Sequence, residues 1–233
     1  MNLSSRPPRT PSRLSDSLHR QLNMYALAAT AAGVSALALA HSAEAKIIYT
    51  KAHVVLNPRS VSHYYIDLNH DGTNDFAFAH GYSFSVTTGF WGSWVAMFPY
   101  KQDGNGILAQ ASGFASALRA GAKIGPGNRF SHYGFMADAG GTGKSYGTHF
   151  AGPWANGGKG LSNRYVGLQF SIKGKTHYGW ARVNVSKFRF SATLTGYAYE
   201  TVPKKSIVAG KTKGSKVITV APGSLGRLTL GRK

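Results

Sequence analysis

Apolar and polar residues alternate with a period of two along much of the chain, and no segment of useful length beyond residue 45 keeps a helical period. Residues 47–56 (IIYTKAHVVL) and 61–68 (VSHYYIDL) are β-branched and aromatic, and Asn57-Pro58-Arg59 between them signals a turn. Residues 75–80 (DFAFAH) and 82–88 (YSFSVTT) alternate on either side of Gly81, which predicts two half-buried strands; 93–98 (SWVAMF) predicts another. The clearest alternation spans 164–200. Val166, Leu168, Phe170 and Ile172 share one face, Lys173-Gly174-Lys175 predicts the turn, and Ala181, Val183 and Val185 point inward on the returning strand. A third strand over 188–200 completes a meander, the unit from which sandwiches and jelly rolls are built. The glycine-rich stretch 121–160 has weak periodicity and reads as long loops carried on the sheet. The expected class is all-β, a two-sheet antiparallel sandwich or jelly roll.

The first 45 residues depart from this pattern. Arg6, Arg9, Arg13 and Arg20 precede an uncharged run from Tyr25 to Ala40, and the small-residue site Ala43-Glu44-Ala45 follows. That order predicts a cleaved signal peptide over 1–45, with the cut before Lys46. The apolar run falls short of the roughly 20 residues that span a bilayer, and there is no Arg-Arg pair for twin-arginine export. No later stretch is long and apolar enough to span, so the mature chain is expected to have no transmembrane segment. It divides into a β-sandwich domain, 46–202, and a basic C-terminal extension, 203–233, where Pro, Lys, Gly and Ser take over. The expected location is outside the cytoplasm: periplasmic, cell-surface or extracellular.

Composition narrows the chemistry. The 233 residues include no cysteine, which excludes disulfides, Cys-ligated zinc, iron–sulfur clusters and thiol catalysis. Lys and Arg number 27 against 8 Asp and Glu, for a net charge of +19. The basic residues are spread rather than interleaved with aromatics on one face, and export removes the chain from intracellular nucleic acid, so no nucleic-acid partner is expected. Anionic envelope polymers or polysaccharide suit the charge better.

One motif carries chemistry. Asp67-Leu68-Asn69-His70-Asp71-Gly72-Thr73-Asn74-Asp75 has the spacing D-x-[DN]-x-D-G-x-x-D. Oxygen ligands at Asp67, Asn69 and Asp71 converge when Gly72 turns the chain, the carbonyl of Thr73 supplies the next, and Asp75 completes a calcium site. Position 12 is Phe78 instead of the bidentate Glu, and both flanks read as strand, so this is no EF-hand. Its calcium would be structural; the alternative is an Asx-rich turn without metal. Gly141-Thr142-Gly143-Lys144-Ser145 has part of a phosphate-loop pattern but lacks the first glycine and the strand–loop–helix setting. Outside the motif the mature chain has only Asp103, Asp138 and Glu200 as carboxylates, and no histidine pair has metal-ligand spacing. The chain is therefore expected to be non-enzymatic. Trp91, Trp94 and Trp154 are candidates for stacking on sugar rings, which keeps a carbohydrate-binding module or glycan-active enzyme as the alternative; core packing is the competing use of large aromatics.

The segments Lys46-Ile47-Ile48-Tyr49-Thr50, Asp67-Leu68-Asn69-His70-Asp71-Gly72, Gly174-Lys175-Thr176-His177-Tyr178-Gly179-Trp180-Ala181-Arg182 and Ala192–Thr201 (ATLTGYAYET) resemble a group of exported bacterial proteins related to the PEP-CTERM class. The resemblance covers most of the mature chain and implies an envelope or extracellular-matrix destination. In that class the chain ends in Pro-Glu-Pro, an apolar helix and a basic tip. Here residues 220–231 (VAPGSLGRLTLG) echo only the beginning of that signal. The group brings no catalytic residues to transfer.

Overall fold

The computed structural model describes residues 45–57, 59–100, 104–142 and 146–214. The expected signal peptide, apart from Ala45, and the segment 220–231 lie outside them. The described residues Ala45–Gly214 belong to one compact unit. Its strands are β1 (Ile47–Leu56), β2 (Ser62–Ile66), β3 (Phe76–Phe84), β4 (Phe90–Pro99), β5 (Gly106–Leu108), β6 (Lys123–Ile124), β7 (Phe130–Ser131), β8 (Phe135–Thr142), β9 (Tyr146–Ala151), β10 (Leu161–Ile172), β11 (Lys175–Val185), β12 (Ala192–Glu200) and β13 (Ile207–Val208). A single 3₁₀ turn covers Asn156–Gly158.

Two antiparallel sheets pack face to face. Sheet A has the order β1-β12-β11-β10-β5-β7 and sheet B the order β2-β3-β4-β8-β9, while β6 and β13 form a small ribbon. The alternation over 164–200 is realised as β10, β11 and β12, neighbours in sheet A. Lys173 and Gly174 both adopt positive φ between the paired residues Ile172 and Lys175, the two-residue turn whose twist matches that of the strands it joins. Val166, Leu168, Phe170, Val183 and Leu194 from sheet A meet Phe76, Phe78, Val95, Met97 and Met136 from sheet B in the core between the sheets. The outer face of sheet A is covered as well. Tyr165, Tyr178 and Trp180 pack with Ile124, Ile207 and Ala209, and the Trp180 indole N–H donates to the Lys211 carbonyl at 3.2 Å. Packing thus continues past residue 202, and residues of the basic extension supply part of the cover.

Two expectations need correction. Residues 75–80 and 82–88 do not form two strands: β3 runs unbroken through Gly81, and Phe76, Phe78, His80, Tyr82 and Phe84 keep one parity along it. Gly81 is a close-approach position, because a Cβ there would lie 2.1 Å from the Trp94 ring, which lies across it. The stretch 121–160 is not only loop, since β8 and β9 extend sheet B within it. Ala137, Ala139 and the glycines Gly140 and Gly141 are buried in β8 without bulky side chains, so the strand lacks the large-apolar signature that marks β10.

Polar struts tie the sheets together. His80 is fully buried in β3, with Nδ1 3.0 Å from the Ser60 carbonyl and Nε2 3.1 Å from the Arg189 carbonyl. Ser93 Oγ donates to that same Arg189 carbonyl at 2.6 Å. Buried Asn105 donates to the Asp75 carbonyl and accepts from the Ser171 N–H. Each strut satisfies polar groups that burial would otherwise leave unpaired, at a cost of roughly 1–3 kcal/mol apiece.

Candidate functional site

The Asp67–Asp75 loop connects β2 to β3, so both flanks are strands. It is closed by the Asp75 N–H donating to Ile66 O at 2.8 Å. Inside, the Asp67 carboxylate accepts the N–H groups of Asp71 (3.1 Å) and Gly72 (2.7 Å), and Gly72 sits at φ 87°, where a side chain would be strained. Asp71 accepts the Asn69 side-chain amide and the Thr73 N–H, both at 2.9 Å. Those two hydrogen bonds, the first above all, hold its carboxyl below the ordinary aspartate range.

Asp75 behaves differently. It is 2% exposed, and Oδ2 accepts the Leu68 N–H at 2.7 Å. Burial pushes its carboxyl up to about 6 against the Leu68 hydrogen bond, and the charges of Asp71 and Asp67 add to the rise. The loop lies on the seam of the sandwich. Leu68 plugs into the inter-sheet core, and His70 Nε2 is 2.8 Å from Thr50 Oγ1 on β1. Burial, with the loop's carboxylates as a further contribution, also raises Tyr199 on β12.

All the candidate donors are oxygens, the set a hard cation takes. One of them is orphaned: Asn69 Oδ1 is buried and has no hydrogen-bond partner. A cation would satisfy that acceptor, as would the hydrogen of a water. The carboxylates, however, are turned toward backbone N–H groups, and among the described residues no three His, Asp or Glu side chains are grouped to hold a metal ion. The loop therefore brings Asp67, Asn69, Asp71, Thr73 and Asp75 into one turn without closing a carboxylate cage around its centre.

The three tryptophans separate. Trp154 is fully buried, and its indole N–H donates to the Ala115 carbonyl at 3.1 Å; it offers no face to a sugar, which corrects its assignment as a stacking platform. Trp91 is half-buried against the inter-sheet core. Trp94 lies on the outer face of sheet B over Gly81, edge-on to Phe98 and Phe135.

Beside Trp94 is a site that sequence reasoning missed. An open cleft of about 590 Å³ is lined by Phe114, Tyr133, Phe135, Asp138 and His149, among others. His149 Nε2 lies 3.4 Å from Asp138 Oδ1, with both side chains solvent-accessible, and Tyr133 is 71% exposed. The β4–β8–β9 pairing assembles these groups: Asp138 stands opposite Trp94 on one side and Ala151 on the other. No local spacing announces them. Glu200 is spent elsewhere: it is 3% exposed, accepts the Val202 N–H and faces Lys205 at 3.7 Å. The partial phosphate-loop pattern ends β8 at Thr142; residues 143–145 lie outside the described residues, and the chain resumes as strand β9 at Tyr146 rather than as the helix that chemistry needs. No protein-family model matches this chain, and neither a curated protein nor a solved structure matches it.

Proposed function

We propose that the chain is an exported, non-enzymatic component of a bacterial envelope or extracellular matrix, its sandwich clamped by a calcium ion in the Asp67–Asp75 loop. The observation that carries this reading is the buried, partnerless Asn69 Oδ1 in a loop with three carboxylates on the seam between the sheets. A carboxylate has about four lone-pair positions, so Asp67 and Asp71 keep acceptor capacity after their backbone hydrogen bonds. Calcium would take Asp67, Asn69, Asp71, the Thr73 carbonyl and Asp75, and would offset both the burial of the Asp75 charge and the smaller repulsion from Asp71 and Asp67. Holding the β2–β3 connection against β1 is a structural task. A signal-like N-terminus, the resemblance to PEP-CTERM-related proteins and the basic composition support the destination. Adding calcium is expected to raise the melting temperature, and Asp71→Ala to abolish the rise; a melting curve unchanged by chelator and by calcium identifies a metal-free turn.

The second reading, glycan binding, is favoured by the cleft at Tyr133 and Phe135 and not by the tryptophans as a set. Aromatic faces beside a carboxylate and an imidazole suit a pyranose, whose C–H face stacks while its hydroxyls donate to Asp138. A glycan array probed with the wild-type chain and with Tyr133→Ala tests it.

A further inference from the structure

We infer that the end of the sandwich opposite the acidic loop docks on an anionic lipid surface. Pairing puts the ends of the strands in register: Leu56 and Val185 both stand opposite Ala192, while in sheet B Phe84 stands opposite Trp91 and Phe90 opposite Thr142. The His80 and Ser93 contacts to Arg189 bring the two sheets' ends together, and Ser191 Oγ donating to Leu56 O at 3.3 Å fixes the β1 and β12 ends within sheet A. Among the described residues eight large apolar side chains are exposed, and six of them sit at this end: Val55, Val61, Phe84, Val86, Phe90 and Phe188. They stand on three separate connections and the β1 terminus, with Val86 at 88% exposure and Phe188 at 59%. Monomeric soluble surfaces rarely gather apolar groups in this way.

The charges at this end are of one sign. Arg59, Lys159, Lys187 and Arg189 are exposed here. The described carboxylates lie elsewhere: Asp67, Asp71, Asp75 and Glu200 at the opposite end, and Asp138 on β8, four residues before Thr142. A hollow of about 310 Å³ sets Lys159 and Lys187 beside Phe150 and Phe188, so cations and phenyl rings face the same space. Phe188 holds φ 60°, a conformation unfavourable for a bulky residue, and its N–H is tied to Gly158 O at 2.9 Å. The loop is braced with the ring outward.

A lipid is the occupant this chemistry fits. The large exposed side chains at this end are Val and Phe, which offer no hydrogen bond by which to read a polysaccharide. They project from different loops instead of lining a groove for a peptide. Apolar tips among cations match acyl chains below anionic headgroups. The inference rests on the envelope reading only for where the lipid is met. It uses nothing from the calcium loop, so vesicle binding and calcium-dependent melting can each fail alone.

The test uses residues 45–233, the compact unit that contains every described strand and core contact, so that the apolar run at 25–40 cannot supply the binding. Sedimentation with vesicles of phosphatidylcholine plus phosphatidylglycerol is expected to carry the protein down, with affinity at least about tenfold weaker on phosphatidylcholine alone, since each cation near an anionic surface contributes. Val86→Ser/Phe90→Ser/Phe188→Ser is expected to lose about tenfold or more on the anionic vesicles with its melting temperature unchanged. Lys159→Glu/Lys187→Glu, which leaves every apolar tip in place, is expected to bind more weakly as well. No binding to anionic vesicles, or full binding by the folded serine variant, overturns the inference.

Discussion

Replacing Asp75 by Asn isolates the cost of a buried charge in the acidic loop. The Asp75 carboxyl titrates at about 6 in the fold against 3.8 for an unperturbed Asp, chiefly because it is buried. The folded chain therefore holds this proton more tightly than the unfolded chain does. The associated stability is fully present below the unfolded value of 3.8 and is lost as the pH rises through about 6. A shift of about two units corresponds to ~3 kcal/mol once the group is ionised in both states. Asn keeps the shape and an acceptor for the Leu68 N–H, now 2.7 Å away, but has no charge to bury. In calcium-free buffer, Asp75→Asn is expected to be more stable than wild type by up to ~3 kcal/mol at about pH 7.5, with the gap closing toward pH 4. Urea unfolding of both chains across that range measures the difference, and taking the difference cancels groups common to the two. If calcium binds the loop as proposed, the order is expected to reverse with calcium present, because the variant would lack a ligand charge. A variant no more stable than wild type at neutral pH without calcium refutes the burial argument, and a gap that persists at pH 4 assigns it to something other than ionisation.

Three further substitutions test the packing and the cleft. Gly81→Ala would place a Cβ 2.1 Å from the Trp94 ring; displacing that ring is expected to cost about 1–3 kcal/mol in urea unfolding and to shift the tryptophan emission. Trp154→Ala empties a fully buried site and strips the Ala115 carbonyl of its donor, so a loss of about 3–5 kcal/mol is expected, with glycan binding per folded molecule unchanged. Tyr133→Ala, at a side chain 71% exposed, is expected to do the reverse, leaving stability within about 0.5 kcal/mol while weakening any glycan retained by the cleft.

The sequence marks some of these features better than others, for physical reasons. β10 and β11 are legible because inward Val, Leu, Phe and Ala alternate with residues of the other face, and Lys173-Gly174 can only be a tight turn. The sequence alone divides β3 at Gly81 because a glycine between strand-like runs reads as a turn; only the partner strand reveals that Trp94 requires the missing side chain. β8 is hidden by its own packing, since its buried Ala and Gly produce no hydrophobic alternation. The acidic loop is a local motif and so is visible in spacing alone. The cleft is the contrary case. Phe114, Tyr133, Asp138 and His149 are scattered in sequence and converge only through strand pairing. Tryptophan identity could suggest stacking, but exposure, which separates Trp94 from Trp154, is a property of the fold.

Three of the four segments that resemble PEP-CTERM-related proteins lie side by side on β1, β12 and β11 of sheet A, with Trp180 opposite Ala198, Gly179 opposite Tyr199, and Tyr49 opposite Ala198 on the other side, while the fourth is part of the acidic loop between β2 and β3. Trp180 is 1% exposed between the rings of Tyr49 and Tyr165, so packing accounts for this ring. Solvent-facing chemistry is left to the two ends and to the cleft. The ends are joined by β3, whose nine residues run from Phe76 beside the acidic loop to Phe84 at the apolar tips, a span of ~30 Å. Sites that far apart with no shared partner act additively. Calcium is therefore expected to raise the melting temperature without changing the loss of vesicle affinity caused by the serine substitutions. Calcium also binds anionic headgroups directly, so the comparison is made against Asp71→Ala, which removes a loop ligand and keeps the tips. If calcium alters vesicle affinity in wild type but not in Asp71→Ala, the two ends are coupled through β3 and the additive picture fails.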